Sequence, residues 1–245
     1  MSKQFLGVIV VVILIFVGIF ALSGNKSNGS GSSGSSGSST LTQHVEGLNK
    51  DSITLVEYGD YECPYCGQYF PIVKQVQTEY NDQIAFQFRN FPLVSIHQNA
   101  FAGARAAEAA AMQNQFWQMH DLLYEENELS QSNSKASTWV NASDPTVFFD
   151  QYAQQLGLNL TKFKADYASG TVNNLINADM AEGNNLKVQG TPTFFLDGKQ
   201  ISVGESASSF EKLINAEIAK KAGSKAATPT SAGSTSQTSA PAKSN

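Results

Sequence analysis

Cys63 and Cys66, in the run Cys63-Pro64-Tyr65-Cys66, are the only cysteines of the 245-residue chain, and they constrain it more than any other feature. None is left for a structural disulfide framework or a four-cysteine zinc site. The histidines, His44, His97 and His120, lack the spacing that would complete a metal site, so no metal is expected. Directly before the pair, Ile53-Thr54-Leu55-Val56-Glu57-Tyr58 is a β-branched and apolar run closed by Gly59-Asp60, the pattern of a buried central strand. Directly after it, Phe70, Val73, Val76 and Tyr80 recur at helical spacing, with Pro64 tolerable in the first turn. Strand, short loop, cysteine pair and helix thus follow one another without a break.

That order carries chemistry. Disulfide exchange needs an exposed thiolate to attack and a second thiol near enough to resolve the mixed disulfide. At a helix N-terminus, partial positive charge and free amides favour the thiolate, so Cys63 is the expected nucleophile. Cys66, one turn further in, is expected to be shielded and to act as the resolving thiol. The two sulfurs would carry the electrons themselves, so no organic cofactor is expected. Glu62 would oppose a thiolate at Cys63 unless it is a solvated acid, the commoner case. His97 and His120 could tune the thiolate, although a helix-face histidine is more often a packed or surface residue.

The rest of the chain completes an α/β domain. Ile84 to Arg89 alternates apolar and polar residues as a second strand would, giving a β-α-β unit that ends near Phe91-Pro92-Leu93. From His97 to Gly170 helical patterning dominates, in Ala100 to Met112, Phe116 to Tyr124 and Val147 to Leu156, which reads as a mostly helical insertion. Phe116, Trp117 and Tyr124 read as its core. A helix from Thr171 to Lys187 leads into Gly190-Thr191-Pro192-Thr193-Phe194-Phe195-Leu196, a strand with proline at its entry. Asp197-Gly198 fits a tight turn, Gln200 to Val203 a partner strand, and Phe210 to Ile218 an amphipathic helix. The sheet is expected to be mixed and flanked by helices.

With 41% hydrophobic and 15% charged residues, the chain suffices for one packed domain plus accessory segments. Sixteen Lys and Arg face 21 Asp and Glu, a net charge of -5, which argues against nucleic acid as a partner. Phe5 to Leu22 is apolar or glycine throughout and reaches the length of a transmembrane helix, with Lys3 and the terminal amine placing the folded part outside the cytoplasm. The competing reading is a signal peptide cleaved near Ala21-Leu22-Ser23, which would leave the protein secreted or periplasmic. The expected organisation is an anchor over 1–22, a Gly/Ser linker over 23–40 spanning on the order of 20–25 Å, a catalytic domain over 41–96 and 171–221, the helical insertion over 97–170, and a disordered tail over 222–245. The protein would then be a single-pass protein of the cell membrane with an extracytoplasmic domain.

Glu57, Cys63-Pro64-Tyr65-Cys66 and Thr191-Pro192 together resemble the thioredoxin superfamily, over most of Ile53 to Ile218. Arg89-Asn90-Phe91-Pro92-Leu93, His97, the Ala-rich helix, Phe116-Trp117-Gln118-Met119-His120-Asp121-Leu122-Leu123-Tyr124 and Gly190-Thr191-Pro192-Thr193-Phe194-Phe195 resemble its DsbA-like branch, which carries a helical insertion. The resemblance implies the thioredoxin fold and a cis Pro192 beside the cysteines. It implies that Thr191 presents its backbone to an extended substrate strand, with Pro64 and Tyr65 on the same binding surface. It also implies that Glu57 is a partly buried carboxylate below Cys66 with a raised pKa, relaying protons; a strand-end acid facing water is the alternative. The implied activity is oxidation of cysteine-containing exported proteins, with reoxidation by a DsbB- or VKOR-like membrane partner. A reductase or isomerase of the same fold, or a tethered binding module with a structural disulfide, are the alternatives. Strongly oxidising DsbA-like proteins commonly carry histidine inside the motif, where this chain has Tyr65, a neutral residue that offers the thiolate less.

Overall fold

A computed structural model describes residues 40–226. The anchor expected over 1–22, nearly all of the linker and the tail beyond 226 lie outside the described residues. Among the described residues, no helix is long and apolar enough to cross a membrane.

The strands are β1 (His44–Glu46), β2 (Ile53–Gly59), β3 (Ile84–Asn90), β4 (Thr193–Leu196) and β5 (Lys199–Ile201). The α-helices are α1 (Pro64–Tyr80), α2 (Ala100–Ala111), α3 (Phe116–Ser132), α4 (Thr146–Gln155), α5 (Leu160–Tyr167), α6 (Gly170–Asn185) and α7 (Ala207–Ala226), with a 3-10 turn at Trp139–Asn141. The sheet order is β1-β3-β2-β4-β5. Strands β2 and β3 run parallel, joined by α1, and every other pairing is antiparallel. The sheet is therefore mixed, with the strand that precedes the cysteines at its centre.

Alternation along β2 sorts its side chains onto two faces. Ile53, Leu55 and Glu57 share one face, and the register sets Phe86 beside Leu55, and Phe88 and Phe194 on either side of Glu57. Against this face pack Val73 and Val76 of α1, Met119 and Leu123 of α3, and Phe210 and Ile214 of α7. Tyr58 points the other way, into a smaller cluster with Phe91, Val188 and Phe195 that Met180 of α6 covers. Helices α2 to α5 form the insertion, between β3 and α6. Phe116 and Tyr124, expected as its core, are buried against the sheet instead: Phe116 and Phe88 have ring centroids 6.1 Å apart, and Tyr124 and Phe88 6.3 Å.

Several elements depart from expectation, among them α5, which the sequence reading does not single out within the insertion, and β5, which spans Lys199–Ile201 where Gln200 to Val203 is expected. Strand β1 is too short to show a pattern in sequence, and long-range polar contacts hold its segment in place. Thr42 donates through its amide and hydroxyl to buried Asp179 (3.1 and 2.7 Å), and His44 Nε2 lies 2.8 Å from a Glu108 carboxylate oxygen. Helix α3 runs on to Ser132, past the last large apolar residues expected to define it. Helix α7 runs through Ala226, beyond the boundary expected at 221, because Lys220, Lys221 and Ala222 favour helix and Lys221 reaches Asp197 at 2.5 Å. In the β4–β5 turn, Asp197 (φ 48°) and Gly198 (φ 76°) both take the left-handed conformation that a two-residue hairpin requires.

Gly59 closes β2 where no side chain fits: a Cβ there would lie 2.4 Å from Phe88 Cε2 and 2.7 Å from the Tyr124 hydroxyl. Gly59→Ala should therefore destabilise the fold by about 1–3 kcal/mol in urea unfolding. Gly170→Ala, whose new methyl meets nothing within 4 Å, should leave stability level or slightly raised.

Candidate active site

Helix α1 starts at Pro64 for a local reason. The residue before a proline is excluded from helical geometry, so Cys63 stays extended (φ -67°, ψ 123°) and becomes the N-cap. Proline occupies the first turn, where its missing N–H costs nothing. The Cys63 amide donates to the Asp60 carbonyl (3.1 Å), and the Gly67 amide closes the first turn on the Cys63 carbonyl (3.2 Å). The turn is also held from the insertion. Asn127 of α3, 1% exposed, donates to the carbonyls of Tyr61 (2.7 Å) and Cys63 (3.1 Å), and Gln131 donates to that of Pro64 (3.2 Å).

Both cysteines are free thiols in this structure. Cys66 is 0% exposed and Cys63 4% exposed, so Cys63 is less open than the sequence reading supposes. The cause is the segment entering β4. The Thr191–Pro192 peptide bond is cis, and the Cys63 thiol lies against it, donating to the Thr191 carbonyl at 3.3 Å. Thr191 and Pro192 are half-buried, while Pro64 is exposed and Tyr65 is 61% exposed beside them. Tyr65, Tyr69, Thr191, Pro192, Gln200 and Val203 border an open groove of about 360 Å³ that runs from the motif along β4 and β5.

The two sulfurs sit in opposite electrostatic environments. Hydrogen bonding from the Cys66 thiol, with smaller help from Thr191 and the Cys66 and Tyr65 amides, outweighs burial and brings Cys63 down to about 6. Burial drives Cys66 well above the ordinary thiol value, and the hydrogen bond to Cys63 and the charges of Cys63 and Glu57 add to it. Glu57 is 4% exposed. Flanked by Phe88 and Phe194, its carboxyl is pushed up to about 8, by burial first and by the Cys63 charge second. The water-facing alternative for this residue does not match its position.

Polar residues surround this centre, and nothing in the sequence singles out two of them, Asp60 and Asn127. Asp60, read only as the end of a strand, is 1% exposed; its carboxylate accepts from the amides of Glu62 and Leu93 (both 2.8 Å) and bonds His97 Nδ1 at 2.7 Å. Glu62 is half-buried, not a freely solvated acid, and accepts from the Asn99 amide at 2.5 Å. His120 is 2% exposed, packed edge-on to Phe88 and Tyr124 with Nδ1 3.0 Å from Asp121. Asn127 gave no signal, since it stands in the polar run Glu125-Glu126-Asn127-Glu128. Among the described residues, no group of His, Cys, Asp or Glu could hold a metal ion.

Known proteins share this arrangement of chain. The matched structures include a thioredoxin-like oxidoreductase from Silicibacter pomeroyi, at 22% identity and TM-score 0.58, covering 73% of this chain and 92% of that one. BdbD from Bacillus subtilis matches at 22% identity and TM-score 0.59, over 71% and 92%. The protein alpha-DsbA1 from Wolbachia pipientis matches at 17% identity and TM-score 0.62, over 76% and 96%. Among curated proteins, the Na(+)/H(+) antiporter NhaA 3 of Salinispora tropica is 36% identical over 158 residues, and NhaA 1 of Salinispora arenicola 37% over 157. Each of those matches covers 64% of this chain and 22% of the antiporter, so the chain spans about a fifth of the length of these relatives. The thioredoxin family model matches residues 39–216. By that match the chain belongs to the thioredoxin family, and it shares its fold with BdbD and alpha-DsbA1.

Proposed function

We propose that the protein is an oxidase: the Cys63–Cys66 disulfide accepts two electrons from a substrate dithiol, leaving the substrate bridged and the pair reduced. The observation that carries this direction is the preferential stabilisation of the Cys63 thiolate in the reduced form. A thiol titrating near 6 is about ten parts ionised to one at pH 7, which favours the reduced pair by about 1.4 kcal/mol over an ordinary thiol. That corresponds to roughly 30 mV of added oxidising tendency. The open groove beside Thr191 and Pro192 supports an extended cysteine-containing segment as substrate, bound mainly through backbone.

Exported proteins as substrates, and a membrane protein that withdraws the electrons afterwards, follow from the apolar Phe5 to Leu22 run, which supports tethering outside the cytoplasm. The purified protein should bridge a reduced multi-cysteine substrate, and its equilibrium with glutathione should give a potential well above that of thioredoxin, about -270 mV. Tyr65, in place of a motif histidine, favours a second reading, that of a reductase or isomerase. A potential at or below the thioredoxin value would select it.

A further inference from the structure

Asp60 poses an electrostatic problem for the nucleophile. Its buried carboxylate accepts bonds on both oxygens while its own carbonyl caps the Cys63 amide, so a negative charge is fixed three residues before a sulfur that must itself ionise. Glu62 and Glu57 add two more acids on the same stretch. Among the described residues, no lysine or arginine bonds any of the three, and the basic side chain on Asp60 is His97, 2.7 Å away with its side chain 15% exposed. The loop that delivers His97, residues 93–99, carries no other titratable group, and it is fastened to the motif loop by the Leu93 and Asn99 amides on Asp60 and Glu62. The charges that act on the bonded ring, those of Asp60, Cys63 and Glu62, are all acidic.

We infer that His97 is the positioning residue of the exchange site: held on Asp60, it takes up the proton that the Cys63 sulfur does not keep when the disulfide is reduced. The step balances. A substrate dithiol gives two electrons and two protons to the Cys63–Cys66 disulfide. Its own sulfurs become bridged, Cys66 leaves as a thiol, Cys63 as a thiolate, and the second proton resides on the His97 imidazole. The Asp60 bond and the charge of Cys63 both raise the affinity of His97 for that proton, against the opposing effect of burial. A cation brought in from the loop after β3 thereby does what the neutral Tyr65 inside the motif cannot.

The inference rests on the thiol–disulfide exchange reading. Its test is an NMR titration of the His97 imidazole in the wild-type protein, reduced and oxidised, with the resonance assigned from the spectrum of His97→Gln. The imidazole should titrate at a higher pH in the reduced protein. In His97→Gln the midpoint of Cys63 alkylation should move up by about one pH unit. Identical imidazole titration in the two redox states would overturn the inference while leaving exchange intact. A pair that never cycles between disulfide and dithiol would overturn exchange and inference together.

Discussion

Replacing Cys63 with serine should reduce disulfide exchange to nothing measurable in either direction, while in the reverse direction, with the reduced protein and a disulfide substrate, replacing Cys66 with serine should leave attack intact and halt the reaction at a mixed disulfide. Only Cys63 combines a lowered affinity for its proton with contact to the cis Thr191–Pro192 segment, where a substrate strand can pair. Cys66 is fully enclosed and holds its proton tightly, so it cannot begin the reaction. It can finish it, once Cys63 is bonded to a substrate sulfur and its charge has gone. Two variants at Cys66 separate its roles. Cys66→Ser keeps a donor to the Cys63 thiolate, whereas Cys66→Ala removes the largest contribution to its stabilisation. Both should trap the mixed disulfide, and only Cys66→Ala should shift the Cys63 alkylation midpoint markedly towards the free-thiol value of about 8.5. Mass spectrometry of the trapped adduct and alkylation against pH check the two parts.

Glu57→Gln should have the next largest effect, and it should be felt twice. The carboxyl titrates near 8 in the fold and near the ordinary carboxylate value when unfolded, so the folded state binds the extra proton between those values. A protonated Glu57 stabilises the fold fully below about pH 4.5, and that contribution is lost as pH rises towards 8. A shift of this size amounts to about 3–5 kcal/mol. Glutamine, similar in shape and uncharged, should therefore raise the stability of the reduced protein at pH 9 by a few kcal/mol and change it little at pH 4. Urea unfolding at the two pH values measures both. The second effect is kinetic. Cys66 is buried; it must take up a proton as it leaves the disulfide, or give one up when it resolves a mixed disulfide in the reverse direction, and Glu57 is an ionisable group on the sheet beneath it. Resolution should slow by roughly 10²–10³ in Glu57→Gln, while the first attack by Cys63 keeps its rate.

The heart of the fold was legible because its signals are local. A β-branched run, a proline that forces Cys63 out of the helix, and an Asp-Gly turn each act within a few residues, and β2, the start of α1 and the β4–β5 turn fall where those signals put them. The thioredoxin-like pattern added what spacing could not, the cis bond at Pro192 and the burial of Glu57. What stayed hidden depends on partners distant in sequence. Asp60 shows its importance only when Leu93 and His97 fold onto it, and Asn127 only when α3 is laid across the start of α1. Strand β1 is held by Asp179, 137 residues from Thr42. The low exposure of Cys63 has the same origin, since the segment that covers it is Thr191.

That low exposure determines how the central claim is best tested. Cover over the sulfur scales the rate of alkylation at every pH, but it does not move the pH at which the thiolate forms. The decisive measurement is therefore the midpoint of Cys63 alkylation by iodoacetamide across pH 4 to 10 in the reduced protein, with Cys63→Ser as the blank. A midpoint near 6 is the predicted result. A midpoint at the free-thiol value of about 8.5 would contradict it.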